Sequence, residues 1–401
     1  MRILFIADVP LANPTSGSEQ VLNQQAIGLA REDMDVYAIT RQAGPPSWVI
    51  RDIEGVREGS YQASAQDLIY SFFSLMRYPV EFYRRFVQSI PFQVAICHQP
   101  FNCFSLLIMK KLRDIPFLYV FHSPSHEEYN ILQNKKRSHV ISIPQIKARE
   151  MIEGFCIKKA LRIVVLSEYM KSKVKQIHKI PGERIVVNPG GVDLEKFRPP
   201  QDPGMVKKGL GLPESKIHLL TVRNLEPRMG LDNLLKCIYI LKTRQAGIHL
   251  VLGGEGPEKK NLENLIREYD LDDAVTMTGF IPSDRLPEYY GAADFFILPT
   301  RQLEGFGLVT VESMACGTPV LGTPVGGTKE ILSKFDPQFL FKDSSPEAMA
   351  EGIRAAISNN FKSKKKYDEL RGQCRKYAER NYSWQRHVDQ LMSIIDEAIR
   401  C

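Results

Sequence analysis

The chain has 401 residues, enough for two domains that each bury a core of their own. A net charge of +7 and a pI near 8.9 suit a protein that handles phosphates or touches an anionic membrane, and are too weak to indicate nucleic-acid binding. Seven scattered cysteines without a CxxC pair argue against a disulfide framework or a zinc site and favour a reducing compartment. The apolar N-terminal run is too short for a signal peptide, and no run approaches the roughly 18 residues of a membrane span, so we expect a cytoplasmic protein.

The first half alternates between apolar runs and amphipathic segments. Residues 2–8 form a near-continuous apolar run, as in a parallel strand covered on both faces. A helical pattern follows at 21–32 and a second strand at 35–40. Further strands are predicted at 94–98, 116–122, 162–167 and 185–191. Strands that alternate with helices predict a doubly wound parallel α/β sheet.

The stretch 196–216 is rich in proline, glycine and charge and is the best linker candidate. After it the alternation restarts, with strands predicted at 217–223, 247–254, 275–279, 295–300 and 319–327. A second α/β domain follows from this, and the cleft between two such domains is the expected ligand site. The last segment, 383–399, has the pattern of an amphipathic helix.

The stretch 299–327 combines features that suit one kind of ligand. Glu304 and Glu312 lie eight positions apart, and Gly305 and Gly307 flank Phe306 between a strand-like run and a helix-like run. Free backbone N–H groups and the positive end of a helix suit a phosphate. Carboxylates repel phosphate, so the two glutamates are better suited to hydroxyl groups. A ligand with phosphates and many hydroxyls is a nucleotide sugar.

The same stretch carries a resemblance to a known family. The pattern glutamate, seven residues, glutamate stands here as EGFGLVTVE inside LPTRQLEGFGLVTVESMACGTPV. Around it, in order, stand NPGGVDLEKFRP, GGEGPEKKNLENL, VTMTGFIPSDRLPEYYGAADFFILP and GTPVGGTKEIL. Together these segments, which cover nearly the whole C-terminal half, resemble the family-4 retaining glycosyltransferases. The resemblance implies the GT-B fold, in which two Rossmann-like, doubly wound α/β domains face a deep cleft.

The resemblance also implies roles for residues of the second half. Glu304 would hold hydroxyls of the donor sugar beside the reacting centre, and Glu312 would bind the ribose hydroxyls. The N–H groups around Gly307 would hold the pyrophosphate, and Ile281 would lie along the base. The residues implied in donor binding are Arg223, Gly254, Ile281, Gly305, Phe306, Gly307, Leu308, Val309 and Glu312. The alternative without a functional role is that Glu312 is a surface helix residue and that the glycines only form a turn.

A basic loop departs from the family pattern. In TVRNLEPRMGLDNLL, keeping Gly230 in register puts Asn224 on the family's arginine and Met229 on its lysine. Arg223 and Arg228 each lie one residue earlier and keep the same spacing. Cations are needed here because the leaving diphosphate gains charge in the transition state. We expect Arg228 to be a catalytic residue and Arg223 to bind the donor; the alternative for Arg223 is a side chain that points to solvent.

The first half offers weaker candidates. Gly17 resembles the glycine-loop residue that lies against donor and acceptor, with a plain loop glycine as the alternative. His98 and His122 end two predicted strands, where this fold binds ligands. The family has a histidine resembling His122 near the donor sugar, so His122 is predicted to be catalytic and His98 to lie on the acceptor side. Glu128, on a predicted loop, is a further acceptor-side candidate.

Residues 68–92 interleave aromatic side chains with Arg77, Arg84 and Arg85. One interpretation is an interfacial patch on anionic lipid at the inner face of the membrane. The other is a helical hairpin packed on the core. Asp33-Met34-Asp35 spells the metal-binding D-x-D of another glycosyltransferase fold, but its place between a helix and a strand indicates turn chemistry.

The sequence thus predicts a metal-independent retaining glycosyltransferase that moves a sugar from a nucleotide diphosphate sugar to a hydroxyl of a glycan, a lipid-linked acceptor or a small glycoside. Its predicted parts are an acceptor-side domain at 1–195, a nucleotide-sugar-binding domain at 196–380 and a helix at 381–401 that crosses back to the first domain. No cofactor, metal or nucleic acid is expected. Two alternatives stay open: a sugar-nucleotide epimerase, and a non-catalytic nucleotide-sugar-binding protein, both on the same scaffold.

Overall fold

A computed structural model describes residues 1–43, 47–63, 68–133, 139–213, 215–244, 247–361 and 363–400. The chain divides into two compact units. The first unit comprises Met1–Gly190 together with the segment that begins at Trp384, and the second comprises Gly191–Ser383. Each unit has its own sheet, and the sequence pattern that predicted two α/β domains is confirmed at this level.

The first unit is built on a mostly parallel sheet with the strand order β3-β4-β2-β1-β5-β6-β7-β8. Its strands are β1 (Arg2–Ala7), β2 (Asp35–Ala43), β3 (Trp48–Ile53), β4 (Val56–Ala63), β5 (Val94–His98), β6 (Phe117–Phe121), β7 (Arg162–Val165) and β8 (Ile185–Val187). Its helices are α1 (Gly17–Arg31), α2 (Leu68–Phe86), α3 (Pro100–Ile108), α4 (Ser125–Gln133), α5 (His139–Lys159), α6 (Glu168–His178) and, at the far end of the chain, α15 (Trp384–Arg400).

Both faces of this sheet are covered. Alternate residues of a strand point to opposite faces, and in β1 Leu4 and Ile6 join one apolar cluster while Ile3 and Phe5 join the other. This burial on both sides explains why β1, β5 and β6 read as continuous apolar runs. The doubly wound arrangement predicted from the alternation is confirmed.

The edge of the first sheet was not predicted. Strands β3 and β4 form an antiparallel hairpin, and β4 pairs with β2 in parallel. The ring of Trp48 in β3 stacks on Phe82 of α2, with ring centroids 5.1 Å apart. Among the side chains of 68–92 that are described, the aromatic residues Phe82 and Tyr83 are buried in the core, whereas Arg77, Arg84 and Arg85 are exposed. Residues 68–86 form one helix, α2, so of the second interpretation the packing on the core is confirmed for the described side chains and the hairpin is wrong.

The second unit has a parallel sheet with the strand order β11-β10-β9-β12-β13. Its strands are β9 (Ile217–Val222), β10 (Ile248–Gly253), β11 (Val275–Gly279), β12 (Phe295–Leu298) and β13 (Val320–Gly322). Its helices are α7 (Pro203–Gly209), α8 (Leu231–Arg244), α9 (Lys259–Glu268), α10 (Leu286–Ala292), α11 (Leu308–Ala315), α12 (Gly326–Phe335), α13 (Pro346–Asn360) and α14 (Lys364–Asn381).

The proline- and glycine-rich stretch 196–216 is more ordered than a linker. It contains α7, whose N-cap Asp202 accepts hydrogen bonds from the backbone N–H groups of Gly204 and Met205. Lys207 of this helix forms an ion pair with Asp294, with 2.8 Å between Nζ and Oδ1. The stretch is therefore part of the second unit, and its composition reflects a short capped helix between turns.

Helix α15 packs on the first unit. Its buried face contains the apolar residues Val388, Leu391, Ile394, Ile395 and Ala398, which belong to the same cluster as Ile3 and Phe5 of β1. His387 is buried on the same face with 2% exposure. Helix α1 lies against α15 at Gly28, where an added Cβ would stand 2.4 Å from Cγ2 of Val388. Within the described part of the chain, no helix combines the length and the apolar character needed to cross a bilayer.

The close approach of α1 and α15 gives a testable expectation. Gly28→Ala should lower the free energy of unfolding by about 1–3 kcal/mol, because the β-branched Val388 cannot move its methyl group without shifting the helix. Gly372→Ala, in α14, is the matched control, since its Cβ would meet nothing within 4 Å; a better helix former there should raise stability by up to about 1 kcal/mol. Urea unfolding of both variants provides the measurement. Equal effects of the two substitutions would contradict the packing at Gly28.

Candidate active site

The second sheet has its topological switch point between β9 and β12. The chain order reverses there, and in open α/β sheets ligands bind beyond the carboxyl ends of such neighbouring strands. Arg223 directly follows β9, and Thr300 and Glu304 follow β12. The fold therefore brings a cation from one half of the sheet to a carboxylate from the other.

Arg223 and Glu304 form a buried ion pair. Nη2 of Arg223 donates to Oε2 of Glu304 over 2.6 Å, and the two side chains are 7% and 8% exposed. The hydroxyl of Thr300 donates to the same oxygen over 2.9 Å. The other oxygen, Oε1, makes no hydrogen bond to any residue in the described ranges. One carboxylate oxygen is thus anchored by the protein, and the other is left to accept a hydrogen bond from a ligand hydroxyl.

Two hydrogen bonds hold Arg228 beside the loop that leads to Glu304. Its Nε donates to Glu226 and its Nη1 donates to the carbonyl oxygen of Leu303, each over 2.9 Å. Leu303 has a φ of +57°, a conformation that costs free energy in a residue with a side chain. Arg228 therefore holds the strained residue that precedes Glu304. The structure places Arg223, rather than Arg228, in contact with the glutamate.

The loop after Glu304 leads directly into α11. Gly307 is the N-cap residue of that helix and has a φ of +94°, where glycine is favoured. The N–H groups of Leu308 and Val309 open the helix and lack intrahelical acceptors, so they form a site for an anion. Gly326 allows the next helix to approach this loop closely, since an added Cβ would lie 2.0 Å from the carbonyl oxygen of Glu304.

Glu312 is on the buried face of α11, with 4% exposure, which is unlike a surface helix residue. The hydroxyl of Tyr290 donates to its Oε2 over 3.0 Å. Burial, followed by the charge of Glu312, raises the pKa of Tyr290 well above its ordinary value, so this hydroxyl stays protonated and donates. Tyr290 was not predicted as a site residue, although the sequence places it one helix before β12.

The other donor-side candidates of the second unit surround the same strand ends. Gly254 has a φ of +133°, and an added Cβ would stand 1.8 Å from the carbonyl oxygen of Arg223. Ile281 is 5% exposed and lies over Gly253. Gly305 is partly exposed, and the buried ring of Phe306 packs on Tyr382, with centroids 5.7 Å apart.

The first sheet has its own switch point between β1 and β5, and polar residues gather there as well. Asp8 follows β1 and accepts hydrogen bonds from the backbone N–H groups of Phe101 and Asn102 at the start of α3, over 2.8 and 2.7 Å. Burial raises the pKa of Asp8 to about 6. Asp8 was not predicted as a site residue, although its place at the end of a strand was the signal that singled out His98.

His98 and His122 end the neighbouring strands β5 and β6 and contact each other. Nδ1 of His98 lies 3.0 Å from Nε2 of His122. His98 is fully buried, and its Nε2 lies 3.0 Å from Oε1 of Gln25. Both ring nitrogens of His98 therefore have protein partners, and neither is left to contact an acceptor substrate. His122 is partly exposed, and its Nδ1 makes no hydrogen bond within the described part of the chain.

The contacts continue from Gln25 to helix α15. Nε2 of Gln25 lies 2.9 Å from Nε2 of His387, and Nδ1 of His387 lies 2.7 Å from the carbonyl oxygen of Pro189. Burial lowers the pKa of His98 well below its ordinary value and lowers the pKa of His122 and of His387 to about 4. All three imidazoles are neutral at pH 7. Neither Gln25 nor His387 had a signal in the sequence that pointed to this contact.

The remaining first-unit candidates lie on helices. Gly17 is exposed and begins α1, next to the N-cap Ser16, whose side chain forms a capping box with Glu19. Glu128 lies in the first turn of α4 rather than on a loop, and its N–H donates to the carbonyl oxygen of Pro124. Among the described residues, no group of three or more histidine, cysteine or acidic side chains is placed to hold a metal ion.

The buried ion pair predicts non-additive effects on stability. Arg223→Met alone should lower the free energy of unfolding by about 3–5 kcal/mol, because it leaves the charge of Glu304 buried without its partner. The double variant with Glu304→Gln should cost clearly less than the sum of the two single variants. Urea unfolding of the cycle checks this. The exposed pair Arg285 and Glu288, at 3.1 Å, is the control and should show no measurable coupling; additive effects at Arg223 and Glu304 would contradict the contact.

Comparison with known proteins accords with this geometry. The family model described as Glycosyltransferase Family 4 matches residues 15–196, and the model described as Glycosyl transferases group 1 matches residues 206–381. Between them the two matches cover most of the chain. The first match begins just before α1 and ends beyond the last strand of the first unit, and the second begins inside α7.

Individual relatives support the same assignment. A D-inositol 3-phosphate glycosyltransferase from Pseudarthrobacter chlorophenolicus is 25% identical over 346 residues, 83% of this chain and 80% of the relative. A GDP-mannose-dependent alpha-(1-6)-phosphatidylinositol monomannoside mannosyltransferase from Mycobacterium tuberculosis is 29% identical over 198 residues, 48% of this chain and 51% of the relative.

A solved structure shows the fold. The sucrose-phosphate synthase of Thermosynechococcus elongatus superposes with a TM-score of 0.82 at 21% sequence identity and covers 99% of each chain. These similarities support glycosyl transfer and neither of the two alternatives, the epimerase and the non-catalytic binding protein. The chain belongs to the family-4 glycosyltransferases and is an enzyme of the GT-B fold that transfers a sugar.

Proposed function

We propose that this enzyme moves a sugar from a nucleotide diphosphate sugar to a hydroxyl acceptor, with retention of configuration and without a metal ion. The observation that supports the proposal is the hydrogen bonding of the Glu304 carboxylate. Its Oε2 is held by Arg223 and Thr300, and its Oε1 is left as a hydrogen-bond acceptor beside the N-terminus of α11. A hydroxyl-binding carboxylate next to a phosphate-binding helix end suits a nucleotide sugar.

The donor is bound by the second unit in this proposal. The N–H groups at Gly307, Leu308 and Val309 bind the diphosphate, and Arg228 adds positive charge from the opposite side of the loop. Nη2 of Arg228 makes no hydrogen bond to a described residue, which leaves a donor for a phosphate oxygen. The buried carboxylate of Glu312 binds the ribose hydroxyls in exchange for the Tyr290 hydroxyl.

The other donor contacts shape the same pocket. Ile281 supplies an apolar surface for the base. Gly254 keeps the backbone at the end of β10 against Arg223. Gly305 and Phe306 form the turn between Glu304 and the helix end. In this arrangement the roles predicted from sequence for these residues remain compatible with their places.

Departure of the nucleoside diphosphate is the step that the positive groups promote. Negative charge develops on the leaving oxygen, and the helix N-terminus with Arg228 stabilises it more in the transition state than in the ground state. The acceptor hydroxyl attacks from the face of the leaving group, and the departing phosphate oxygen takes its proton. Arg223 holds Glu304 as an ion-paired carboxylate, which makes it a poorer covalent nucleophile and a better anchor for sugar hydroxyls.

We place the acceptor on the first unit, with Gly17 and Glu128 as acceptor-side residues and His122 as a catalytic residue. The relatives act, by name, on an inositol phosphate and on a phosphatidylinositol mannoside, so a polyol or lipid-linked polyol is the first acceptor class to test. We place the enzyme in the cytoplasm. Contact with an anionic membrane through 68–92 would be electrostatic, because Arg77, Arg84 and Arg85 are exposed while the described aromatic rings are mostly buried.

A product assay tests the proposal. The purified chain is incubated with a chelator and a panel of UDP-, GDP- and ADP-sugars, with inositol phosphates, phosphatidylinositol mannosides and simple sugars as acceptors. We expect one nucleotide sugar to be consumed and an acceptor to gain one sugar of unchanged anomeric configuration, observed by mass spectrometry and NMR. Inversion would contradict retention. Transfer that appears only after Mg²⁺ or Mn²⁺ is added would contradict metal independence.

Glu304→Gln should abolish most of this transfer while the fold survives. The amide oxygen of glutamine can still accept from Arg223 and Thr300, but its NH₂ group then stands where Oε1 would accept a sugar hydroxyl. We expect kcat to fall by about a hundredfold or more, the scale of losing one optimally placed transition-state interaction. Glu288→Gln, on the exposed face of α10, is the matched control. A Glu304→Gln enzyme with near-normal kcat would remove Glu304 from the mechanism.

A further inference from the structure

His122, His98, Gln25 and His387 form a series of hydrogen bonds. Which atom donates at each contact is determined at the His387 end. The carbonyl oxygen of Pro189 can only accept a hydrogen bond, so Nδ1 of His387, 2.7 Å away, must carry the proton. A neutral imidazole has one N–H group, so Nε2 of His387 is bare. The atom of Gln25 that faces it at 2.9 Å must therefore be the amide nitrogen.

The remaining contacts fix the proton of His122. Because the nitrogen of Gln25 faces His387, its oxygen faces His98, and Nε2 of His98 must donate to it. Nδ1 of His98 is then bare and accepts from Nε2 of His122 over 3.0 Å. Nδ1 of His122 is consequently the bare nitrogen. With the rings placed as they are, the backbone carbonyl of Pro189 fixes the amide orientation of Gln25 and the donor at each contact in turn.

Burial makes this direction costly to reverse. His98 and Gln25 are fully buried, and His387 is 2% exposed. Reversal at any contact would bring two acceptors or two donors together in a region from which water is excluded, where unmatched polar atoms are expensive. Asn188 strengthens the anchored end, because its side-chain amide donates to the carbonyl oxygen of His387 over 3.1 Å.

We propose that His387, Gln25 and His98 are positioning residues that hold His122 as the Nε2–H tautomer, with Nδ1 presented to the substrate as a hydrogen-bond acceptor. The segment Asn188–Pro189 and helix α15, far from His122 in the sequence, thereby determine which ligand group His122 can bind. A bare imidazole nitrogen accepts from a hydroxyl and repels the lone pairs of a phosphate oxygen. The group that faces His122 is therefore a hydroxyl of a sugar or polyol. This last consequence rests on the proposed function, whereas the tautomer does not.

The tautomer can be observed without turnover. The full chain contains eight histidines and is labelled with ¹⁵N-histidine, and two-bond ¹H–¹⁵N correlation spectra are recorded at pH 7.5. His122 is assigned from the signals that disappear in His122→Ala. We expect its Nε2 to be of the protonated type and its Nδ1 of the bare type. A His122 protonated on Nδ1 would overturn the proposal.

Substitutions at the anchored end should change this tautomer. In His387→Phe no side-chain atom orients the Gln25 amide, and in Gln25→Met no amide orients His98, so both variants should give His122 a mixed or reversed tautomer. In His387→Gln the amide offers one donor for Pro189 and one acceptor for Gln25, so the original tautomer should return. If both His387→Phe and Gln25→Met leave the His122 signals unchanged, this relay of hydrogen bonds from Pro189 to His122 is refuted.

Kinetics separate positioning from mere packing. His387→Phe should lower kcat/KM by about ten- to hundredfold, the effect of misorienting a group at the reacting centre, and His387→Gln should recover most of it. Adding His387→Phe to His122→Ala should cost nothing further, because His387 acts through His122. Additive losses in the double variant would overturn the positioning role. If no transfer is found with any donor while the tautomers are as expected, the proposed function fails and the relay stands.

Discussion

The buried contact between Arg223 and Glu304 is the constraint around which the donor side is arranged. Two charges leave water to form it, and that desolvation is tolerable only where geometry and further hydrogen bonds are good. Thr300 supplies a second donor to the same oxygen. The strained Leu303 sets the path of the chain before Glu304, and Gly326 lets the carbonyl of Glu304 be approached closely. Loop shape and charge pairing thus depend on each other.

Sheet topology explains why the chemistry gathers where it does. In each unit the chain order reverses between two central strands, β1 and β5 in one and β9 and β12 in the other. The reversal sends the following loops to opposite faces and leaves room at the strand ends. Arg223 and Glu304 meet at one such point, and Asp8 and His98 lie at the other. Residues distant in sequence become neighbours because parallel strands bring their carboxyl ends to one edge.

The sequence predicted well what depends on local pattern. Buried strands such as β5 and β12 are continuous apolar runs, and the pairing of Glu304 and Glu312 with a helix start is a local motif. Contacts between residues that lie far apart in the chain could not be predicted from the sequence. Nothing in residues 48–63 indicated a hairpin at the sheet edge, because β3 is largely exposed. The choice of Arg223 over Arg228 as the partner of Glu304 depends on β9 lying beside β12, and Gln25 and His387 are 362 positions apart.

On helix α15 a polar residue, His387, lies on an otherwise apolar buried face, and its hydrogen bonds do more than stabilise the fold. The apolar residues of the helix attach it to the core. Apolar contacts have no donor and no acceptor, so they cannot determine the tautomer of a neighbouring imidazole. The hydrogen bonds of His387 can do so, because the backbone carbonyl of Pro189 only accepts and thereby fixes which nitrogen of His387 donates. A fully satisfied polar chain inside a core adds little net free energy compared with apolar side chains of the same volume. The proposed relay accounts for its presence by what it specifies, namely which nitrogen of His122 is free to meet the substrate.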